Sequence, residues 1–233
     1  ITVLAVSFIS FGIGTSLYIK ILKQLEFELT LIVIFESIGA FVLVSGIMLL
    51  LGKELFVAIL FGTIATATAP AATVMVLKEY GIPGEFSATL MVVLALDEFL
   101  ALLIFSFMEP LSYILASPEL ELTITNMLIV PLVRVVAAIL LGLILGYISQ
   151  HLMIKCGSES RKILLILATI IGTTAAAVFL HISPLFANLT VGFVYRNIPK
   201  SRLNVSDKLD VLTVPLLATF FILAGTKIDI SNL

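Results

Sequence analysis

Long runs of apolar residues, separated by short polar connections, make up most of this chain. The hydrocarbon core of a bilayer is about 30 Å thick, so a helix that crosses it needs about 20 mostly apolar residues. Eight stretches meet this requirement wholly or nearly, at 1–19, 28–51, 55–77, 86–108, 124–150, 163–180, 185–196 and 209–226. The seventh is short, and Pro184, Asn188 and Gly192 within or beside it predict that it is tilted, broken or extended into its flanks. The pattern predicts an all-α membrane protein with about eight transmembrane helices.

The connections between these stretches differ in their content of basic residues. Cytoplasmic loops of membrane proteins carry an excess of lysine and arginine. Ten of the 13 basic residues lie in odd-numbered connections, namely Lys20, Lys23, Lys78, Lys155, Arg161, Lys162, Arg196, Lys200, Arg202 and Lys208. We therefore predict a multi-pass protein of the cell membrane. Its odd-numbered loops are expected in the cytoplasm and residue 1 on the outer side.

Composition agrees with a lipid environment and excludes several classes of protein. Hydrophobic residues make up 61% of the chain and charged residues 12%, whereas soluble domains carry about 25% charged residues. The net charge of −2 offers no basic surface for nucleic acid. One cysteine and two histidines give no disulfide framework and no metal cluster. With no nucleophile–base arrangement either, we expect neither an enzyme nor a resident cofactor.

Two neighbouring acids stand out in the middle of the fourth stretch. Asp97 and Glu98 are about 100° apart on a helix, so their carboxylates share one broad face. Ionisable residues inside a membrane span are costly and usually functional. Burial and mutual repulsion let such a group hold a proton, and once deprotonated it offers hard oxygen ligands to a cation. The pair is a candidate site for H⁺ and a monovalent cation; the alternative is a structural pair bonded to a neighbouring helix.

The third stretch contains an alanine- and threonine-rich run that is interrupted by Pro70. Proline removes a helix hydrogen bond and clashes with the preceding turn. A break in the stretch Thr66–Thr73 would make oxygen atoms available to a cation, namely backbone carbonyls and the hydroxyls of Thr66, Thr68 and Thr73. Discontinuous helices of this kind form the binding sites of many secondary transporters. The alternative is an ordinary proline kink, with the threonines bonded to their own helix.

Two further charged residues lie within predicted spans. Glu36, in the second stretch, is a candidate third acid of the site or the partner of a base; equally, it reaches a headgroup or bonds to a serine. Arg134, in the fifth stretch, is a candidate counter-charge, and snorkelling to the outer interface explains it equally well.

Several short motifs occur in a characteristic order along the chain. FGIG at 11–14 precedes the stretch with Glu36, and ATATAPAAT at 65–73 runs on to LKEYG at 77–81. LDEFLAL follows at 96–102, then SPLFA at 183–187 and FFILAG at 220–225. In this order and spacing the motifs resemble the monovalent cation:proton antiporter superfamily, over essentially the whole chain.

The resemblance implies roles for individual residues. The broken-helix motif of the family falls on Thr68 and Pro70, and its acid pair falls on Asp97 and Glu98. Glu98 matches the acid that is associated with ion carriage. The chain departs from the family pattern in having Ala69 where many members have an aspartate, and a glutamate where the pair usually ends in aspartate. Both departures bear on the choice of ion.

The resemblance also implies an architecture. It is an inverted-repeat fold in which a core bundle moves against a dimerisation bundle, in a homodimer. Residues 28–116 would be core-type helices, 1–19 and 160–226 interface-type helices, and 124–150 a linker helix. All belong to one transmembrane domain, which we expect to be incomplete at both ends. A second broken helix and a basic partner of the acid pair would lie beyond residue 233.

Residues and resemblance together favour a transporter that exchanges Na⁺ or K⁺ for H⁺ by alternating access, with cation and proton competing for Asp97 and Glu98. One alternative is a sodium-coupled symporter of organic anions, although Arg134 is the single candidate group for an anion near the predicted break. Another is a cation channel or a non-transporting membrane sensor.

Overall fold

The computed structural model describes residues 2–22, 27–68, 73, 76, 80–81, 84–116, 125–198, 218, 221–222 and 225–226. The helices within these residues are α1 (Thr2–Ser16), α2 (Ile19–Leu22), α3 (Phe27–Leu50), α4 (Leu55–Ala65), α5 (Glu85–Ala116), α6 (Val130–Lys155), α7 (Glu159–Phe179) and α8 (Pro184–Asn197). A π-helical stretch, Thr125–Ile129, leads into α6. No β-strand occurs in the described ranges, so the predicted all-α class is confirmed.

Four of the described helices are long and apolar enough to cross a membrane, at Leu29–Leu50, Val93–Ala116, Val130–Lys155 and Glu159–Phe179. Large apolar side chains such as Phe35, Leu50 and Phe179 are exposed on them. Exposed apolar area of this extent needs hydrocarbon as its solvent. Helices α1, α4 and α8 are shorter, and the predicted stretch 209–226 lies mostly outside the described residues.

Two predicted boundaries are wrong, the ends of the fourth and fifth stretches. The fourth stretch was expected to end at 108, but α5 continues through Pro110 to Ala116. The proline removes only one hydrogen bond of the helix, and the other residues of this apolar run keep theirs. The fifth stretch continues past 150 to Lys155, where a long basic side chain can reach the interface. The third stretch was expected to span 55–77 with a break at Thr66–Thr73, and its first helix, α4, ends at Ala65.

The chain divides into two compact units, residues 1–16 with 136–233 and residues 17–135. In the first unit, α1 and α8 pack closely through glycines. A Cβ at Gly14 would overlap the carbonyl oxygen of Leu189, and one at Gly192 would overlap that of Phe11. Small residues permit such close backbone approach between membrane helices. The ring of Phe11 packs edge-on against Tyr195, with centroids 5.5 Å apart.

Hydroxyl groups join α6 and α7 to α8 in the same unit. Ser149 of α6 hydrogen-bonds to Tyr195 of α8 and, at 2.6 Å, to Thr169 of α7. Gly142 and Gly146 of α6 face residues of α8, so this GxxxG pattern serves packing within the chain. The unit is held by close van der Waals contact and by hydrogen bonds between uncharged side chains.

The second unit contains the helices that carry the candidate site. Helices α3, α4 and α5 pack against one another. Helix α4 approaches α3 closely at Gly62, where a Cβ would overlap the hydroxyl of Ser45 and lie 2.8 Å from the carbonyl oxygen of Phe41. This packing brings the end of α4 close to the middle of α5.

Candidate ion-binding site

Helix α5 carries both acids at mid-length, twelve and thirteen residues after it begins at Glu85. Asp97 is buried, with 3% of its surface exposed, and Glu98 is half-buried. The flanking residues Ala95 and Ala101 are buried as well. Short side chains at these positions leave room for α3 and α4 to approach the carboxylates.

Each oxygen of the Asp97 carboxylate accepts a hydrogen bond from a different element. The hydroxyl of Ser37, in α3, donates to Oδ1 at 3.0 Å. The hydroxyl of Thr68, in the non-helical segment after α4, donates to Oδ2. Hydrogen bonds to a charged acceptor are the stronger kind, and two of them fix both the position and the orientation of the carboxylate. Asp97 is therefore the group at which α3, α5 and the end of α4 meet.

Thr68 reaches Asp97 because α4 stops short. The helix ends at Ala65, Thr66 caps it, and Ala67 and Thr68 are not helical, while Thr73 and Val76 are helical again. The hydroxyl of Thr66 donates to the carbonyl oxygen of Thr63 at 2.7 Å, so this hydrogen bond stays within the end of α4. Pro70, the predicted cause of the break, lies outside the described residues.

Glu36 and Arg134 are not brought to the acid pair. Both side chains are exposed. Glu36 precedes Ser37 in α3, and Glu36 is exposed whereas Ser37 is buried. Thr73 is half-buried. Of the predicted site residues, the structure joins Thr68 and Asp97 directly, and Glu98 follows Asp97 on the helix.

The Asp97 carboxylate and the hydroxyls of Ser37 and Thr68 form a cluster of oxygen atoms, and Glu98 follows Asp97 on the helix. Oxygen ligands suit hard cations such as the alkali ions. Across the ranges that the structure describes, no three or more His, Cys, Asp or Glu side chains group together as a transition-metal site would require. What the described cluster can do chemically is hold a proton or a hard cation away from bulk water.

The sequence of the whole chain, residues 1–233, matches the family model described as "Sodium/hydrogen exchanger, transmembrane". The chain belongs to this sodium/hydrogen exchanger family. A search of curated proteins found no match. This match confirms the resemblance to cation:proton antiporters that the sequence motifs indicated. The exchanger is a multi-pass membrane protein whose general function is cation/proton exchange. Members of the family are transporters, not enzymes.

Sequence reasoning missed one polar contact of the exchanger, the one between Ser37 and Asp97. A serine within an apolar helix carries little information, because its hydroxyl often bonds to the carbonyl four residues earlier. Ser106 does so in this chain, at 2.9 Å from the oxygen of Leu102. The available signal was weak, a serine next to Glu36 in a span that precedes the broken helix.

Replacing Thr68 with alanine is expected to raise the apparent KM for the transported cation by about tenfold to 100-fold, since a hydrogen bond to a charged group contributes about 1.5–3 kcal/mol. Thr68→Ser keeps the hydroxyl and should stay near wild type. Cation-dependent collapse of a pH gradient in everted vesicles measures the effect. Thr63→Ala is the matched control, because that hydroxyl bonds to the carbonyl oxygen of Ile59 at 2.7 Å. An equal KM in the Thr68→Ala and Thr63→Ala variants would contradict the contact.

Proposed function

We propose that the exchanger binds either a monovalent cation, Na⁺ or K⁺, or H⁺ at Asp97 and Glu98, in competition, and carries it by alternating access. The observation that supports this most is the environment of Asp97, a carboxylate that is 3% exposed within a membrane-length helix and held by hydroxyls from two other elements. A carboxylate within a membrane span costs free energy, and ionisable residues at such positions are usually functional.

In this proposal the two acids have different tasks. Asp97 is anchored on both oxygens and serves as a fixed ligand. Glu98 is half-buried, and its longer side chain changes position as it exchanges a proton for a cation. Oxygen atoms of the Thr66–Thr73 segment, Thr68 first, complete the set of ligands. Glu36 and Arg134 remain candidate accessory charges.

The wider architecture of the proposal follows the family resemblance. It comprises about eight transmembrane helices in this chain, an inverted-repeat fold, a core bundle over 28–116 that moves against interface-type helices at 1–19 and 160–226, and a linker helix at 124–150. The exchanger would act as a homodimer in the cell membrane, with odd-numbered loops in the cytoplasm. Apart from lipid, the transported cation and H⁺, it would need no cofactor and no nucleic acid.

Competition between cation and proton is tested by kinetics at several pH values. In everted vesicles that contain the full-length protein, the apparent KM for Na⁺ or K⁺ is expected to fall by about tenfold for each unit by which pH rises, as long as protons occupy the site, with Vmax unchanged. The reason is mass action, since one site cannot hold both ions.

Other outcomes of the same assay would contradict the proposal. A KM that does not vary with pH would show that cation and proton bind at separate sites. Proton flux that depends on an added organic anion would indicate a symporter. A conductance far above carrier turnover, measured in planar bilayers, would indicate a channel.

A further inference from the structure

Ser37 is a buried polar residue in the middle of α3 that neither the family motifs nor the acid pair accounts for. Its side chain is 1% exposed, and its hydroxyl donates to Oδ1 of Asp97, sixty residues away in sequence. Many hydroxyls in this chain bond to their own helix instead, as those of Thr169 and Thr174 do. Ser37 thus directs its hydrogen bond to the centre of the candidate site.

The contact also places a second oxygen atom beside Oδ1. A hydroxyl that donates its proton keeps two lone pairs as acceptors. The hydroxyl oxygen of Ser37 and Oδ1 are 3.0 Å apart. Ca²⁺, which is similar in size to Na⁺, takes oxygen ligands at about 2.3–2.6 Å, so one small cation can touch two oxygens at this spacing. The geometry is therefore compatible with a shared ion.

We infer that Ser37 is a further residue of the exchange site, which fixes Oδ1 of Asp97 and supplies its own hydroxyl oxygen to a bound Na⁺ ion. The inference rests on the proposed function of Asp97 and Glu98. It adds α3 to the elements that bind the ion, so that a cation at Asp97 has ligands from α3, from α5 and from the segment after α4.

The physical consequence concerns affinity. With both oxygens held, the carboxylate already has the orientation that a cation requires, and binding does not have to order it. Without Ser37, Oδ1 loses its donor, the carboxylate can rotate towards the remaining donor at Thr68, and one oxygen ligand is missing. All three changes weaken cation binding, and none of them removes the acids that carry the ion.

The test compares KM with Vmax for Na⁺/H⁺ exchange by the full-length protein in everted vesicles. Ser37→Ala is expected to raise the KM for Na⁺ roughly tenfold, the scale of a hydrogen bond to a charged group, with Vmax within about twofold of wild type. Ser37→Thr retains the hydroxyl and should restore most of the affinity. Ser45→Ala is the matched control, since Ser45 lies two turns further along α3 and its buried hydroxyl has no hydrogen-bond partner among the described residues.

A second measurement separates an ion ligand from a structural contact. Na⁺ that binds the folded protein raises its Tm, by an amount set by the ion concentration relative to Kd. The Na⁺-induced rise in Tm of the purified Ser37→Ala protein should be smaller than that of wild type at equal Na⁺. A contact that merely holds α3 to α5 would lower the Tm without Na⁺ and leave the Na⁺-induced rise unchanged.

Three results would overturn the role of Ser37, namely a wild-type KM in Ser37→Ala, an equal rise in Ser45→Ala, or a folded Ser37→Thr protein that binds Na⁺ as weakly as Ser37→Ala. These failures are distinguishable from failure of the proposed function. If Asp97 and Glu98 carry the ion, replacing either acid abolishes exchange whatever Ser37 does. If exchange survives their replacement, the proposed function itself is wrong.

Discussion

Exchange by the Glu98→Gln protein is expected to fall roughly 100-fold or more, the scale of losing a side chain that transfers a proton. Glutamine has nearly the shape of glutamate, so α5 should pack as before. Glutamine, however, can neither release a proton nor offer a charged oxygen to a cation. The proposed cycle requires both proton release and cation binding at this position. The measurement is the collapse of an imposed pH gradient on addition of Na⁺ or K⁺ to everted vesicles.

The same measurement on Asp97→Asn should show a comparable loss. An asparagine replaces one of the two acceptor oxygens with a donor group, which then faces the hydroxyl of Ser37 or of Thr68. Glu109→Gln is the control, since Glu109 lies on the same helix and is exposed. Full exchange by both the Glu98→Gln and the Asp97→Asn proteins would refute the carboxylate mechanism.

Replacing Gly14 with alanine is expected to destabilise the unit formed by residues 1–16 and 136–233. The new Cβ would overlap the carbonyl oxygen of Leu189 and lie 2.8 Å from its carbon, and these backbone atoms of α8 cannot move without shifting the helix. Inserting one carbon into a well-packed site commonly costs about 1–3 kcal/mol. A lower Tm of the detergent-solubilised protein, and less protein in the membrane, would report it.

Gly12 provides the matched comparison on the same helix. A Cβ at Gly12 meets nothing within 4 Å. Alanine is favoured over glycine within a helix by about 1 kcal/mol, so Gly12→Ala should be neutral or slightly stabilising. The two substitutions are chemically identical and are expected to have opposite signs. If Gly14→Ala were as stable as Gly12→Ala, the close packing of α1 on α8 would be wrong.

The parts of the fold that were predictable are those set by solvent. Helices α3, α5, α6 and α7 follow from the length of their apolar runs, because lipid leaves the backbone no partner except its own. Asp97 and Glu98 were predictable for the converse reason, since they violate the pattern at high cost. The end of α4 at Ala65 falls next to the predicted break at Thr66–Thr73.

The parts that were not predictable depend on which helices become neighbours. Ser37 and Ser106 both lie within apolar helices, yet one bonds to Asp97 and the other to its own helix. Gly12 and Gly14 lie only two residues apart on α1, yet Gly12 is exposed and Gly14 contacts α8. Hydropathy cannot distinguish such pairs, because the distinction arises from the direction each residue faces in the packed bundle.

The early end of α4 has an electrostatic consequence for the site. A helix terminus carries about half an elementary charge, negative at the carboxyl end, from peptide dipoles that are aligned along its axis. Helix α4 ends three residues before Thr68, which contacts Asp97. The field of the helix therefore adds to that of the two acids in a medium that screens it poorly. For a cation beside Asp97 this field is favourable at a distance, before any oxygen ligand contacts the ion, and for an anion it is unfavourable.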